Sequence, residues 1–206
     1  MQRHLSIVTG SSRGLGRAVV EQLLARGHHV LALARAPTDV ALPAGAELEA
    51  WRVDLAEPVA VAERLGAWLQ AQHAAAFASV SLINNAGVVA TPAVLAKGDL
   101  HELSNALRVG LEAPLLLSAA FLRATENWAC PRKLLLVSSG LGRRAMAGSA
   151  SYCAAKAGMD HLARALALEE AVRPNGARVV SLAPGVIDTD MQVQLRSADA
   201  ARFPER

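Results

Sequence analysis

Short apolar runs rich in β-branched residues alternate along the chain with segments whose apolar residues recur at helical spacing. The first run, residues 5–9, leads directly into a glycine-rich turn, residues 10–16, and then into a helical pattern that Gly27 ends. Because strands joined by helices form right-handed crossovers, this alternation predicts an α/β fold with a parallel sheet and helices on both faces. The further predicted strands are residues 30–34, 47–53, 78–83, 134–138 and 178–182.

The composition predicts one packed domain over residues 1–206. The chain has 206 residues, 52% hydrophobic and 19% charged, which favours a full core over disorder. Aromatic residues make up only 3%, so the core is expected to be aliphatic. The net charge of +3 comes with scattered arginines and few stacking aromatics, so no nucleic-acid partner is predicted. An anionic small ligand explains the arginine excess equally well.

Cysteine, histidine and apolar patterns argue against several other classes of protein. Cys130 and Cys153 form neither a CxxC pair nor a disulfide framework, which predicts reduced thiols in a cytoplasmic protein. The first residues run straight into a strand pattern, so no signal peptide is predicted. No uncharged apolar run reaches the ~18–20 residues that a membrane span needs. The six histidines show no metal-ligand spacing, and no metal is predicted.

The glycine-rich turn is typical of a phosphate-binding site. Gly10 and Gly14 can adopt positive φ, and Gly16 lets the following helix pack close to the sheet. Free N–H groups at the start of that helix would then face the pyrophosphate of a dinucleotide cofactor. The alternative is an ordinary tight turn between a strand and a helix.

The end of the second strand indicates which nicotinamide cofactor fits. NAD sites usually place an acidic residue there to bind the ribose 2′-hydroxyl. Here Ala34 and Arg35 occupy that position, and Arg13 lies in the glycine turn. Two guanidiniums and no carboxylate favour a 2′-phosphate, and therefore NADPH. The alternative is that Arg35 is simply a solvated strand end.

Two further strand ends carry polar or small residues. Asp54 follows the third predicted strand, where it could hydrogen-bond an adenine ring or cap the helix that Pro58 begins. Residues 84–87, Asn-Asn-Ala-Gly, follow the fourth strand and suit either a close backbone approach to a ligand or a plain turn. Because ligands bind at the carboxyl ends of parallel strands, we expect both groups in one site.

Tyr152 and Lys156 are the residues best suited to catalysis. They are four positions apart, so on a helix both side chains lie on one face. An ammonium beside a phenol is expected to lower the tyrosine pKa from its usual value near ~10, so that the tyrosine exchanges protons near neutral pH. Ser139, just after the fifth predicted strand, can hydrogen-bond the same reacting oxygen. The alternative is a helix with a tyrosine and a lysine by chance.

Two other segments bear on the site and on assembly. Residues 100–125 predict a long helical region interrupted near Gly110 and Pro114, and its apolar content indicates a subunit interface in a homodimer or homotetramer. Residues 140–148 predict a mobile loop beside the substrate. The loop residues expected nearest the substrate are Leu141, Arg143 and Met146.

Together these motifs resemble the short-chain dehydrogenase/reductase family over essentially the whole chain. The matching motifs are residues 9–16, residues 84–87, the set of Ser139, Tyr152 and Lys156, and residues 184–185. Details such as Tyr-Cys-x-x-Lys-Ala-Gly at 152–158 look most like the branch that contains sepiapterin reductase and the bacterial benzil reductases. The resemblance implies a Rossmann-type doubly wound parallel sheet with strand order 3-2-1-4-5-6.

The resemblance also implies a reaction, in which NADPH delivers hydride to the carbon of a ketone or diketone. Tyr152 would protonate the oxygen, Ser139 would orient it, and Lys156 would hold the nicotinamide ribose. The implied cofactor contacts are Gly10, Ser12, Arg13, Gly14, Leu15, Gly16, Arg35, Asp54, Leu55, Asn85, Ala86, Gly87, Val109, Tyr152, Lys156, Pro184, Gly185, Val186, Ile187 and Thr189. Met191 joins Leu141, Arg143 and Met146 in the expected substrate pocket.

Two departures from the family pattern keep alternatives open. Gly110 stands where the family usually has an asparagine that holds a proton-relay water, so activity is weakened or a main-chain carbonyl binds the water instead. The sequence stops at Arg206, whereas the family usually continues to a seventh strand; either the chain is naturally short or its end is missing. Both departures keep open the competing hypothesis, an NADPH-binding sensor or scaffold with little or no turnover, against which the intact Ser139, Tyr152 and Lys156 argue.

Overall fold

The computed structural model describes residues 3–185, which form a six-stranded parallel sheet with the order β3-β2-β1-β4-β5-β6. Each predicted strand is present, and the doubly wound order implied by the resemblance is confirmed. A seventh strand is not among the described residues. The strands are β1 (Arg3–Thr9), β2 (His29–Ala34), β3 (Glu47–Arg52), β4 (Phe77–Asn84), β5 (Arg132–Val137) and β6 (Arg178–Leu182).

Helices follow the strands where the apolar spacing predicts them. Pro58 opens the second helix, a position where its missing N–H costs no hydrogen bond. The predicted interruption of the long helical region is also present, as a π-helical turn, Arg108–Glu112, between two α-helices. The helices are α1 (Gly14–Ala25), α2 (Pro58–Gln70), α3 (Leu100–Leu107), α4 (Ala113–Ala124) and α5 (Ala150–Ala171).

Two hydrophobic cores, largely aliphatic, lie on opposite faces of the sheet because successive strand residues point to opposite sides. Leu5 and Ile7 of β1 join the larger core, which includes residues of α2, α4 and α5. Val8, the next residue along, joins the smaller core with Val20 and Leu24 of α1. Fully burying side chains of this kind stabilises a fold by roughly 1.5–3 kcal/mol each, so these cores can hold the sheet with few aromatic residues.

The helical stretch Leu100–Ala124 is long and apolar enough, by length and composition alone, to cross a membrane. The sequence predicts no membrane span, and 44% of the apolar 18-residue window in this stretch is buried inside the protein. Its residues Val109, Ala113 and Leu117 belong to the larger core. A core helix passes the same test of length and composition, so the stretch is weak evidence for a membrane.

The parallel sheet brings the predicted site residues to one edge. Gly10 follows β1, Arg35 follows β2, and Asn85 follows β4. Ser139 lies two residues after the end of β5, and Pro184 two residues after the end of β6. The carboxyl ends of all these strands point the same way, so residues far apart in sequence meet in one crevice.

Candidate active site

The glycine turn after β1 is as tight as the sequence predicts. Gly10 and Gly14 have φ values of 69° and 53°, in the left-handed region that favours glycine. A Cβ on Gly16 would lie 2.1 Å from the carbonyl oxygen of Gly10, so a side chain cannot fit there. The start of α1 therefore packs directly against the end of β1.

The first turn of α1 is suited to an anion. Arg13, at the N-cap, has an extended backbone, and no side chain caps the helix there. Helix N–H groups that lack such a cap, together with the helix dipole, favour a phosphate group. The glycine cradle and this helix start fit the pyrophosphate of a dinucleotide cofactor.

Three hydrogen bonds between Thr9 and the Asn85–Ala86 segment join the ends of β1 and β4. The Thr9 hydroxyl oxygen accepts hydrogen bonds from the backbone N–H groups of Asn85 and Ala86, each at 3.0 Å. In return the Asn85 side-chain amide donates to the Thr9 carbonyl oxygen at 2.9 Å. The Asn85 side chain is thus engaged in holding the crevice, which leaves the backbone of the Ala86–Gly87 segment beside the glycine turn.

The ends of β2 and β3 present the other predicted cofactor residues. Arg35 is exposed, and the loop that follows it is tied to the glycine turn by a 2.7 Å hydrogen bond between the Ser11 and Thr38 hydroxyls. Asp54 Oδ1 accepts from the backbone N–H of Ala56 at 3.0 Å in a turn before α2, so Asp54 does not cap that helix, whose N-cap is Glu57. The role of Asp54 in binding adenine stays a prediction.

Leu55 and Val109 are expected at the cofactor, yet both side chains are buried in the larger core. Only their backbone groups can face a ligand. Pro184 and Gly185 follow β6, and Gly185 has a positive φ of 83°. Val186, Ile187, Thr189 and Met191, which the sequence also assigns to the site, lie outside the described residues.

Ser139, Tyr152 and Lys156 come together at the end of β5. Lys156 is 3% exposed, and its Nζ donates to the Val137 carbonyl oxygen at 2.7 Å. The same Nζ lies 5.6 Å from the centroid of the Tyr152 ring, on the same face of α5. The Ser139 hydroxyl lies close enough to the Tyr152 phenol to lower its pKa. The three predicted catalytic residues therefore share one site.

The expectation that Lys156 lowers the Tyr152 pKa is wrong for this structure. Burial raises the Tyr152 pKa above its ordinary value, and the nearby Ser139 hydroxyl only partly opposes this. Lys156 binds the carbonyl of Val137 and lies beside the phenol ring, while burial lowers its own pKa to about 8. Tyr152 is therefore a protonated phenol at neutral pH, which is the form that can donate a proton.

A small cavity of ≈ 10 Å³, room for about one water molecule, opens beside Tyr152. Its walls come from the segments before α3 and before α5, which a hydrogen bond of 3.1 Å from Ala93 N–H to the Gly148 carbonyl oxygen ties together. The predicted pocket residues Leu141, Arg143 and Met146 do not line it. Residues that do line it, and that sequence reasoning missed, include Val89, Ala90, Thr91, Leu95 and Leu103.

Arg143 faces a carboxylate that sequence reasoning also missed. Its Nε lies 3.5 Å from Oδ2 of Asp160, which is buried on α5. The spacing of Asp160, four residues after Lys156, was the available signal, since such residues share a helix face. A substrate role for Arg143 stays a prediction.

A doubly wound sheet, a glycine cradle for a dinucleotide, and a serine, tyrosine and lysine beside it define a nicotinamide-dependent oxidoreductase. The chain belongs to the short chain dehydrogenase family, whose model matches residues 5–200. Benzil reductase ((S)-benzoin forming) from Bacillus subtilis (strain 168) is 32% identical over 199 residues, which are 97% of this chain and 81% of that protein.

Solved structures agree with this assignment. A short-chain dehydrogenase/reductase from Burkholderia vietnamiensis is 37% identical, with a TM-score of 0.77 over 96% of this chain and 94% of that chain. A metagenomic short-chain oxidoreductase in complex with NADP is 31% identical, with a TM-score of 0.74 over 89% of this chain and 82% of that chain.

Proposed function

We propose that this protein is an NADPH-dependent reductase that converts a ketone or diketone into the corresponding alcohol or hydroxyketone. The observation that carries the proposal is the meeting of Ser139, Tyr152 and Lys156 beside the glycine cradle. A reduced nicotinamide cofactor, when bound, supplies the hydride. The described residues supply the proton, the orientation of the carbonyl and the binding groups.

Each of the three side chains has a distinct part in the proposed reaction. Tyr152, protonated at neutral pH because burial raises its pKa, gives its proton to the carbonyl oxygen as that oxygen gains charge. Ser139, beside Tyr152, hydrogen-bonds and orients the same oxygen. Lys156, buried and charged at pH values below about 8, stabilises the phenolate that proton transfer leaves behind.

NADPH is proposed rather than NADH because of the end of β2. The residues there are Ala34 and Arg35, without the carboxylate that would repel a 2′-phosphate. The hydrogen bond between Ser11 and Thr38 holds the loop after Arg35 against the glycine turn. The related metagenomic structure in complex with NADP supports the same choice.

An apolar diketone is the proposed class of substrate. The cavity beside Tyr152 is bounded largely by small and aliphatic side chains, which favours an apolar group next to the carbonyl. The Bacillus subtilis relative is a benzil reductase that forms (S)-benzoin. Reduction of one carbonyl of such a diketone consumes one hydride and one proton and leaves a hydroxyketone.

Gly110 supports a second candidate, an NADPH-binding sensor without turnover, because it lacks the side-chain amide expected there. However, Gly110 lies in a π-helical turn, where the backbone hydrogen-bond pattern of an α-helix is interrupted. Such a turn favours the alternative in which a main-chain carbonyl holds the relay water. A Cβ at Gly110 would lie 3.0 Å from the Ala155 Cβ, so the close packing against α5 explains a small residue here.

The test is an assay of NADPH oxidation by the purified full-length protein with benzil, together with a separate titration of NADPH binding. The proposal expects benzil-dependent oxidation and formation of benzoin. If the protein binds NADPH but oxidises none of it with benzil or with a panel of other ketones, the sensor is the correct function. If NADPH does not bind at all, both candidates are wrong.

A further inference from the structure

Asp160 is a buried carboxylate for which the proposed reaction has no direct use. It lies one helical turn after Lys156 on α5 and is 6% exposed. An isolated carboxylate at such a position would be very unfavourable, so its partners carry the explanation of why it is tolerated. Those partners come from the ends of β5 and β6 and from the loop after β5, all of which border the candidate site.

The carboxylate of Asp160 joins four parts of the fold. Oδ1 accepts a hydrogen bond from the Ser181 hydroxyl, near the end of β6. The Ser138 hydroxyl, directly before Ser139, lies near Asp160 and donates to the Lys156 carbonyl oxygen at 3.5 Å. Oδ2 lies 3.5 Å from Nε of Arg143, in the loop after β5. One buried carboxylate thus contacts α5, the ends of β5 and β6, and the loop between β5 and α5.

The backbone of that loop lies directly on the same turn of α5. A Cβ on Gly142 would lie 2.9 Å from the carbonyl carbon and oxygen of Lys156 and 3.0 Å from Asp160 Oδ2. No side chain fits between loop and helix there. The ion pair of Arg143 with Asp160 therefore holds a loop whose backbone packs directly against the backbone of Lys156.

The charge of Asp160 has a second effect. Burial alone would raise the Asp160 pKa, but the hydrogen bond from Ser181, the nearby Ser138 hydroxyl and the Arg143 guanidinium outweigh burial and lower it. Asp160 is therefore ionised at neutral pH. Its negative charge raises the Lys156 pKa and so opposes the burial that lowers it to about 8.

We propose that Asp160 is a positioning residue of the candidate active site, whose carboxylate holds the loop after β5 and the end of β6 against the helix turn that carries Lys156. It does so through Arg143, Ser138 and Ser181, and it keeps Lys156 charged near neutral pH. The inference about Lys156 rests on the proposed function, whereas the inference about the loop does not.

Other groups that face Lys156 need to be considered with Asp160. Tyr152 lies on the same helix, with its ring centroid 5.6 Å from Nζ. From β5 the contact is the Val137 carbonyl, and from the segment after β4 the position of a Cβ on Gly87 would be 3.7 Å from Nζ. Arg143, in the loop after β5, acts on Lys156 through Asp160. Asp160 is the group among these that favours the charged form of Lys156 by its own charge.

The first experiment compares the pH dependence of kcat/KM for NADPH in the wild-type protein and in Asp160→Asn. This quantity reports ionisations of the free enzyme. Loss of the negative charge should move the alkaline limb to lower pH by about one unit, which reduces kcat/KM about tenfold on the alkaline side. Glu169→Gln is the control, since it removes the same charge from α5 at an exposed position far from Lys156. It should leave the limb in place.

The second experiment measures amide hydrogen exchange in the same variants and needs no turnover. Asp160→Asn and the milder Ser181→Ala should accelerate exchange in residues 140–148 and 181–185, and Glu169→Gln should leave these segments unchanged. If neither Asp160→Asn nor Ser181→Ala speeds exchange there, Asp160 is not a positioning residue. If exchange accelerates but the alkaline limb stays in place, the inference that Asp160 keeps Lys156 charged is wrong. If the wild-type protein shows no turnover, the proposed function is refuted. The exchange result alone then decides whether Asp160 holds the loop after β5.

Discussion

Burial favours the neutral forms of both Tyr152 and Lys156, with opposite consequences for their pKa values. It raises the Tyr152 pKa and lowers the Lys156 pKa to about 8. At neutral pH the pair is therefore a protonated phenol beside an ammonium. This combination suits reduction, which needs a proton donor, better than alcohol oxidation, which needs the phenolate as a base.

The buried charge of Lys156 should reduce the stability of the fold. Because the folded pKa is about 8 instead of 10.5, holding the charged form costs roughly 3 kcal/mol below pH 8. We expect Lys156→Met to unfold at a higher temperature than the wild type at pH 7 while losing turnover. Between pH 8 and 10.5 the unfolded chain binds the proton more tightly, so wild-type stability from this group rises with pH and the difference shrinks.

Thermal unfolding at pH 7 and near pH 10 checks this sign. Lys133→Met is the control, because Lys133 is exposed on β5 and should show no such pH-dependent gain. A Lys156→Met protein that is less stable than the wild type at both pH values would mean that burial of the ammonium is not unfavourable.

Arg35 is the residue on which the choice of cofactor depends. Arg35→Asp replaces a guanidinium that can pair with a 2′-phosphate by a carboxylate that repels it and can accept from a 2′-hydroxyl. We expect NADPH to bind about 10–100-fold more weakly, which corresponds to ~1.4–2.8 kcal/mol, and the preference to move towards NADH. Titration with both cofactors measures the change.

Arg26→Asp is the matched control for this substitution. Arg26 ends α1 at the opposite edge of the sheet, so the same change of charge should leave cofactor preference unaltered. An unchanged preference in Arg35→Asp, or an equal change in both variants, would show that Arg35 does not read the 2′-phosphate.

Among the elements, the end of α5 depends on one buried ion pair. Arg132, 2% exposed at the start of β5, donates to Glu170 Oε2 at 3.0 Å and to the carbonyl oxygen of Asn175 at 3.1 Å. Glu170 Oε2 also accepts from the Ala177 backbone N–H at 2.7 Å. The pair thus joins α5 to β5 and to the turn that leads into β6.

Removing one partner of this pair should destabilise the protein strongly, because the other partner remains buried and charged. We expect Glu170→Ala to lower the free energy of unfolding by about 3–5 kcal/mol, measured by urea denaturation. Glu169→Ala, at the exposed neighbouring position, should change it by less than about 0.5 kcal/mol. Equal effects of the two substitutions would show that the Arg132–Glu170 ion pair does not stabilise this end of the sheet.

For the whole molecule, the features predicted correctly are those with local signals. The strands of the described sheet have short apolar runs or, in β3, an alternating pattern, and the turn from Gly10 to Gly16 needs glycine at its tightest positions. Pro114 predicts a break in the long helix, and α4 begins next to it after the π-helical turn. The fold and the family could be predicted because such signals require only neighbouring residues.

Features that depend on tertiary contacts could not be predicted in the same way. The rise in the Tyr152 pKa comes from burial by neighbouring elements, which the spacing of Tyr152 and Lys156 does not report. The four-part contact of Asp160 requires Ser138, Arg143 and Ser181 to meet in space. The cavity wall before α3 likewise becomes evident only when that segment is seen beside Tyr152.

The most direct test of the proposed reaction follows a deuterium label. NADPH deuterated at C4 of the nicotinamide is incubated with benzil and either the wild-type protein or Tyr152→Phe, and the product is examined by mass spectrometry and NMR. We predict benzoin with deuterium on the carbinol carbon, formed ~10²–10⁴-fold more slowly by Tyr152→Phe at unchanged NADPH affinity. Bound NADPH without a deuterated alcohol, or equal rates in the two proteins, would contradict the account.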